Sequence, residues 1–297
     1  MPGQNSVTRR FHASLLLLAC ALLSACATLT QLAYSNAAMA YNNLPPMLSW
    51  WVDDYVDMSH GQKDWVRERI SRVLDWHRSH ELPEYRRFLE HVLARSREPF
   101  TVEEVAAAWR DLRKHYRRTA EQVLPEVGDF FLQLDAEQVA QMEKKFADDN
   151  RKFVRESVKG TPEERTARRV KRFVAHMEGW LGSLDREQRA MIEAYYRDIP
   201  DLIEERLADR KVRQGEILAL IRARPAKEAM VAGLRTLFVE SQTWRRPEYQ
   251  KKLAEREQRF FEMIARLSAS LSPEQRSHLQ TRIRGFMRDI ATLSAAG

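Results

Sequence analysis

The stretch LDAEQVAQMEKKF, residues 134–146, decides the fold class because it joins a helix start to one apolar face. Asp135 is a typical N-cap residue, and a glutamine three residues later can return a hydrogen bond to the backbone of the cap. Met142 and Phe146 follow Gln138 at intervals of four residues, so they lie on one side of a helix. The segment therefore predicts a helix that buries one face in a core.

Three further segments of the chain repeat this helix start. Each of the four copies has an apolar residue, a capping residue directly after it and a glutamine three residues after the cap. The glutamines are Gln62, Gln138, Gln188 and Gln275, and their separations of 76, 50 and 87 residues exclude the fixed period of a solenoid. An irregular duplication of helical hairpins and a recurrent use of one cap both explain the pattern. We assign the four side chains to helix-start amides rather than to a ligand.

The rest of the chain also favours helices. Ten glycines and eleven prolines among 297 residues supply too few turns for a many-stranded β protein, and no β-branched run has a period of two. We predict an all-α fold, a multi-helix array of packed helical hairpins with no sheet. The predicted helices are 46–57, 59–81, 83–97, 102–123, 135–158, 162–181, 185–197, 200–223, 226–242, 247–270 and 272–293.

The N-terminus has the order of a bacterial export signal. Arg9 and Arg10 precede an apolar run over 11–23, which is shorter than the roughly 20 residues that a membrane-spanning helix needs. The run ends in Leu23-Ser24-Ala25-Cys26, which resembles a lipobox, in which the cysteine thiol receives diacylglycerol. A second box ending at Cys20 is the weaker alternative, because its apolar segment is short. The predicted organisation is a signal peptide over 1–25, a lipidated tether over 26–45 and an all-helical domain over 46–297.

This organisation predicts where the protein works. The only cysteine left after cleavage is Cys26, which is acylated, so the mature chain forms no disulfide. Ala27, where an aspartate would favour retention in the inner membrane, is typical of sorting to the outer membrane, so we expect a palmitoylated lipoprotein on its periplasmic face. The formal net charge is +7, and basic runs occur at 113–118 and 165–172. Export excludes nucleic acid as their partner, which leaves a solvated helix face or a contact to anionic lipid or cell-wall polymer.

Aromatic and acidic residues gather at the start of the predicted helical domain. Trp50, Trp51, Asp54 and Tyr55 are candidate partner-binding residues, and the alternative is a carboxylate site for cleaving glycans. Asp53 and Asp54 are adjacent, so they point about 100° apart on a helix and do not face one bond together. We expect the two tryptophans and Tyr55 to pack inward, with one aspartate bound to a tryptophan N–H or an arginine.

No residue set in the sequence specifies a reaction or a metal. His77 and His80 are three residues apart, but a third ligand would have to cross a helix break at Pro83, so we predict no metal site and no cofactor. There is no Gly-x-Ser-x-Gly elbow, so we assign no catalytic residue. Glu-Ser pairs at 156–157 and 240–241 lack the following Gly-Leu-Met-Gln element of helical lytic transglycosylases.

Two resemblances bear on function. The segments YNNL at 41–44, WWVDDY at 50–55, WHR at 76–78 and ELPEY at 81–85 resemble an uncharacterised family of all-helical lipoproteins of Gram-negative bacteria. That resemblance implies the fold and the location and supplies no catalytic residues. The capped glutamines are similar to the Leu-Thr-x-x-Gln element of small periplasmic stress proteins, among them an ATP-independent chaperone, although serine or aspartate replaces the threonine here.

Together these observations predict a non-enzymatic helical binding or chaperone-like module. We expect the membrane to be one partner, through the lipid anchor, and a periplasmic protein or a cell-wall polymer to be another. A cell-wall glycan-acting enzyme is the alternative function.

Overall fold

The computed structural model describes residues 41–295, so the predicted signal peptide and Cys26 lie outside the described residues. The prediction of an all-α array is confirmed, because the described chain forms packed α-helices and contains no strand. None of its helices is long and apolar enough to cross a membrane. The helices are α1 (Leu44–Val56), α2 (His60–Trp76), α3 (Leu82–Arg95), α4 (Val102–Gln133), α5 (Ala136–Phe153), α6 (Pro162–Leu181), α7 (Arg186–Asp198), α8 (Ile203–Ala223), α9 (Lys227–Phe238), α10 (Pro247–Ala269) and α11 (Pro273–Ala295).

The helix starts follow the capping chemistry that the sequence predicts. In each of six helices the cap side chain accepts the N–H of the third helical residue, whose own side chain accepts the N–H of the cap residue. Both halves of the box are therefore satisfied, and the start of each helix is fixed by its own sequence. The six cap residues are Ser59, Thr101, Asp135, Thr161, Asp185 and Ser272.

The predicted helix break at Pro83 is wrong. Helices α2 and α3 are joined through one π-helical turn, His77–Glu81, in which the N–H of Leu82 donates to the carbonyl of His77 five residues back. Pro83 has no N–H to donate, and in a regular α-helix its ring would clash with the carbonyl four residues back. The wider turn therefore carries the chain past the proline without ending the helix.

Helix α4 is also longer than the sequence predicts. The predicted helix ends at residue 123, yet α4 continues to Gln133 with Pro125 inside it. A proline inside a helix costs about 3 kcal/mol. Beyond it, Phe130 and Phe131 are buried, and each buried side chain of this size contributes about 1.5 to 3 kcal/mol, which offsets that cost.

The helices enclose two apolar cores. The first is formed mainly by α1, α2, α4, α5, α8 and α9, and the second by α6, α7 and α10 with the start of α11. Helix α11 links them, since Leu279 packs against the second core and Ile290 and Leu293 lie in the first. Helix α10 packs along α4, and the Ser268 hydroxyl accepts the N–H of Phe100 at 2.8 Å.

Candidate functional site

The predicted partner-binding residues of α1 lie on different sides of the helix. Trp50 is 68% exposed, so the expectation that it packs inward is wrong. Successive helical residues are about 100° apart, and the inward side is taken by Leu48 and Tyr55. Trp51 is half-buried against the first core, with its ring 4.9 Å from the ring of Tyr55. Trp50 is therefore the one of the three aromatic residues that is free to meet a partner.

Tyr55 is a structural hydrogen-bond donor. Its hydroxyl donates to the Oδ2 atom of Asp149 on α5 at 2.5 Å, and the guanidinium of Arg210 on α8 lies 3.9 Å from the same oxygen. Burial, followed by the neighbouring Asp149, raises the pKa of Tyr55 far above its usual value. The hydroxyl therefore keeps its proton and ties α1 to α5 and α8.

The two aspartates of α1 are each paired with a lysine. Asp53 lies 3.0 Å from Lys63 and also accepts the backbone N–H of Met58 at 2.8 Å. Asp54 lies 2.6 Å from Lys145 on α5. Lysines and a backbone amide thus replace the expected arginine or tryptophan N–H. The paired carboxylates point to different lysines and form no shared site for a glycosidic bond.

His77 and His80 both lie in the π turn, and their rings have different neighbours. His77 is 1% exposed, and its Nδ1 atom lies 2.9 Å from the hydroxyl of Tyr41. Burial lowers the pKa of His77 to about 4, so its ring is neutral at pH 7. His80 is exposed and stacks on Trp76 at 5.7 Å between ring centroids. The two rings therefore do not converge on one point.

The neighbouring Glu81 joins the π turn to α4. This carboxylate is 1% exposed, accepts from Arg118 Nε at 2.7 Å and lies 2.9 Å from His115 Nδ1. Although burial alone raises a carboxyl pKa, hydrogen bonds from His115 and Arg118 hold the pKa of Glu81 below its usual value. Across residues 41–295 no group of three His, Cys, Asp or Glu side chains is placed to hold a metal ion.

The predicted basic run on α6 is partly used inside the fold. Arg165 and Arg169 bind the two oxygens of Asp201 at 2.7 and 2.8 Å. Arg168 donates to the carbonyl of Lys159. The part of the run that faces solvent is therefore less basic than the sequence suggests.

The four capped glutamines form two amide pairs, which the sequence analysis missed. Gln62 and Gln138 exchange hydrogen bonds of 3.1 and 2.7 Å, and Gln188 and Gln275 exchange two of 2.8 Å. Each Oε1 atom also accepts the N–H of its own cap residue, as predicted. The missed signal is chemical: the cap uses only the oxygen, so each amide keeps two N–H donors that need acceptors.

An open groove between α5 and α8 was also missed. The helices run antiparallel, and the groove has a volume of about 580 Å³. Its lining residues, polar ones included, recur at intervals of three and four along the chain, so each stripe looks like an ordinary helix face in the sequence. The apolar or small residues that line it are Phe146, Ala147, Val154, Gly215 and Leu218.

Polar groups cross the groove at its middle and ends. Asn150 donates from Nδ2 to Gln214 at 2.7 Å, while its Oδ1 atom is buried and accepts no hydrogen bond. Glu143 is paired with Arg222 at one end, at 2.5 Å. Lys211 lines the other end, beside the 41% exposed Val154, and makes no ion pair within the described chain. The groove therefore offers an apolar floor and a positively charged end.

Comparison with known proteins identifies a family but no function. No curated protein and no solved structure matches the chain. The match to a family model begins at Asp54, so the predicted lipobox, Trp50 and Trp51 lie outside it. It covers about two thirds of the chain, including α2 to α9 and therefore the groove. The chain belongs to DUF6279, a family of unknown function whose model matches residues 54–250.

Proposed function

We propose that this protein is a lipoprotein anchored through Cys26 to the periplasmic face of the outer membrane, where it binds other proteins without catalysing a reaction. The groove between α5 and α8 carries the binding part of this proposal. An apolar floor with few polar groups is the usual form of a site that takes the apolar face of another segment. The anchor would hold this weak site near its clients at a raised effective concentration.

The occupant we propose is an unfolded or helical client segment with apolar residues and an acidic flank. The groove runs from Glu143 to Val154, which corresponds to about three helical turns. Glu143 is paired with Arg222 and Arg151 with Asp148, so the unpaired charge at the groove is that of Lys211, which complements an acidic residue.

Catalysis on glycans has weaker support. A glycosidase needs a carboxylic acid whose pKa is raised, so that it can donate a proton. In residues 41–295, each carboxyl group with a shifted pKa is shifted downward, and the groove has only Glu143 as a carboxylate. A binding role therefore fits the site better.

The binding part is tested by filling the groove. A Cβ added at Gly215 meets no atom within 4 Å, so Gly215→Phe is chosen to fill the groove, and Gly61→Phe is the matched control at another helical glycine whose added Cβ meets no atom. We expect Gly215→Phe to lose suppression of aggregation of an unfolded acidic client while Gly61→Phe keeps it, with both variants melting like the parent. Full suppression by a folded Gly215→Phe variant would refute binding in the groove.

The anchor is tested separately by fractionation. Cys26→Ser should abolish palmitate labelling and release the protein from the membrane or block its processing, whereas Cys20→Ser should do neither. Labelling that survives Cys26→Ser and is lost in Cys20→Ser would place the cleavage site at the other box.

A further inference from the structure

Helix α1 has an apolar face that the fold leaves open. Met47 is 52% exposed and Trp50 is 68% exposed, and they lie three residues apart on one side of the helix. Trp50 is the most exposed large apolar side chain in residues 41–295. An exposed tryptophan beside an exposed methionine costs solvation free energy unless something covers the pair.

The exposed side of α1 is apolar near its start and charged farther along. Asp54 follows Trp50 by four residues and is exposed, and its carboxylate is paired with Lys145 on α5. The apolar half is thus the half at the start of α1, nearest to the N-terminal segment, and the charged half lies farther along. Such a helix can lay its first turns on an apolar surface while the Asp54–Lys145 pair stays in water.

The chain length before α1 limits what can cover this face. Leu44, at the start of α1, follows Cys26 by eighteen residues, which span at most about 65 Å even when fully extended. If Cys26 carries lipid, as proposed above, the start of α1 always lies within that reach of the membrane. No described helix can span a bilayer, so any contact would be at the membrane surface.

We propose that Met47 and Trp50 insert into the interfacial layer of the phospholipid membrane that holds the Cys26 lipid. A tryptophan ring has an apolar body and one N–H donor, a combination that favours the headgroup level of a bilayer. This inference rests on the proposed lipid anchor. It assigns α1 a second attachment, which fixes how the helical body is oriented on the membrane.

The test places a fluorescent probe on this face. The mature lipidated chain carrying Met47→Cys is labelled with an environment-sensitive fluorophore and reconstituted into phosphatidylethanolamine and phosphatidylglycerol vesicles that contain a headgroup-level quencher lipid. Val212→Cys on α8 is the matched control, because Val212 is 47% exposed and Met47 is 52% exposed. We expect a blue-shifted emission and roughly threefold more quenching at position 47 than at position 212. Adding Trp50→Asp should remove most of that difference.

The outcomes separate this inference from the anchor. Equal quenching at positions 47 and 212, on protein that floats with the vesicles, overturns the docking and leaves the anchor standing. Protein that does not float with the vesicles overturns both. A blue shift that appears without vesicles and grows with protein concentration identifies a second copy of the chain as the occupant and overturns the lipid contact. A circular dichroism melt of each labelled variant verifies that it is folded.

Discussion

Replacing Gln188 and Gln275 by alanine, singly and together, tests whether the paired glutamines act as one structural unit. Gln188 is fully buried and, besides a longer contact of 3.3 Å to the Ser270 hydroxyl, makes four bonds: it accepts from the Asp185 N–H, donates to the Ser270 carbonyl and exchanges two with Gln275. Gln275 likewise accepts from its cap N–H and donates to the Ser183 carbonyl. At a net contribution of about 1 kcal/mol for each hydrogen bond, either single change should lower the free energy of unfolding by about 3 to 4 kcal/mol.

The double variant carries the sharper prediction. The two bonds that the glutamines share are lost in either single variant, so the double variant should be about 2 kcal/mol more stable than the sum of the single losses implies. Urea unfolding at pH 7 measures these free energies, provided that the slope of unfolding free energy against urea concentration is the same in every variant. Gln62→Ala combined with Gln188→Ala is the control, because those residues belong to different pairs and their losses should add within about 0.5 kcal/mol.

Two results would refute this reasoning. Additive losses for Gln188→Ala and Gln275→Ala would mean that the amides are independent caps without a shared bond. Unchanged stability combined with lost suppression of client aggregation would mean that the glutamines line a binding face, as the likeness to periplasmic stress proteins suggests. Equal loss of both properties supports a structural role.

Three further changes test other parts of the fold. Burial lowers the pKa of His77 to about 4, so as the pH falls the unfolded chain binds a proton at this histidine before the folded chain does. The free energy of unfolding should therefore drop by roughly 3 kcal/mol between pH 6.5 and pH 4. His77→Gln should flatten that part of the curve when urea unfolding is measured over a pH series. Pro125→Ala supplies the missing N–H inside α4 and should raise the melting temperature, whereas a lower value would mean that the proline fits a bend the helix needs. Tyr55→Phe leaves Asp149 without its hydroxyl donor and should cost about 1 to 3 kcal/mol in urea unfolding, while an unchanged value would show that Lys145 and Arg210 satisfy the carboxylate alone.

Local capping patterns were enough to predict the fold class and most helix starts. Asp135 with Gln138 and Thr161 with Glu164 act on backbone amides within one turn, so their effect is written in a few adjacent residues. The ends of helices were less predictable where a contact with residues far along the chain outweighs a local helix preference. Pro125 disfavours a helix by a local rule, but the burial of Phe131 in the first core outweighs it.

The candidate sites depended on contacts between distant residues, which the sequence pattern does not contain. Trp50 and Trp51 are equally apolar, and only the packing of α1 on α2 and α5 decides which of them faces water. The groove depends on how closely α5 and α8 approach, and Gly215 gives no sign of facing open space rather than a neighbour. Asp53 and Asp54 were recognised as a possible charged site, but their lysine partners lie on other helices.

The two glutamine pairs share more than their reciprocal hydrogen bonds. Gln138 donates to the carbonyl of Asp57, Gln275 to that of Ser183 and Gln188 to that of Ser270, and each of these residues stands two positions before the cap of the partner helix. Capping alone requires neither the pairing nor this common offset, because a lone cap is complete within one helix. The same joint between two helix starts therefore occurs twice, once between α2 and α5 in the first core and once between α7 and α11 in the second. This repetition favours an irregular duplication of helical hairpins over independent reuse of the cap. It also explains why the spacing of the glutamines has no fixed period, because the joint determines how two helix starts meet, whatever the length of chain between them.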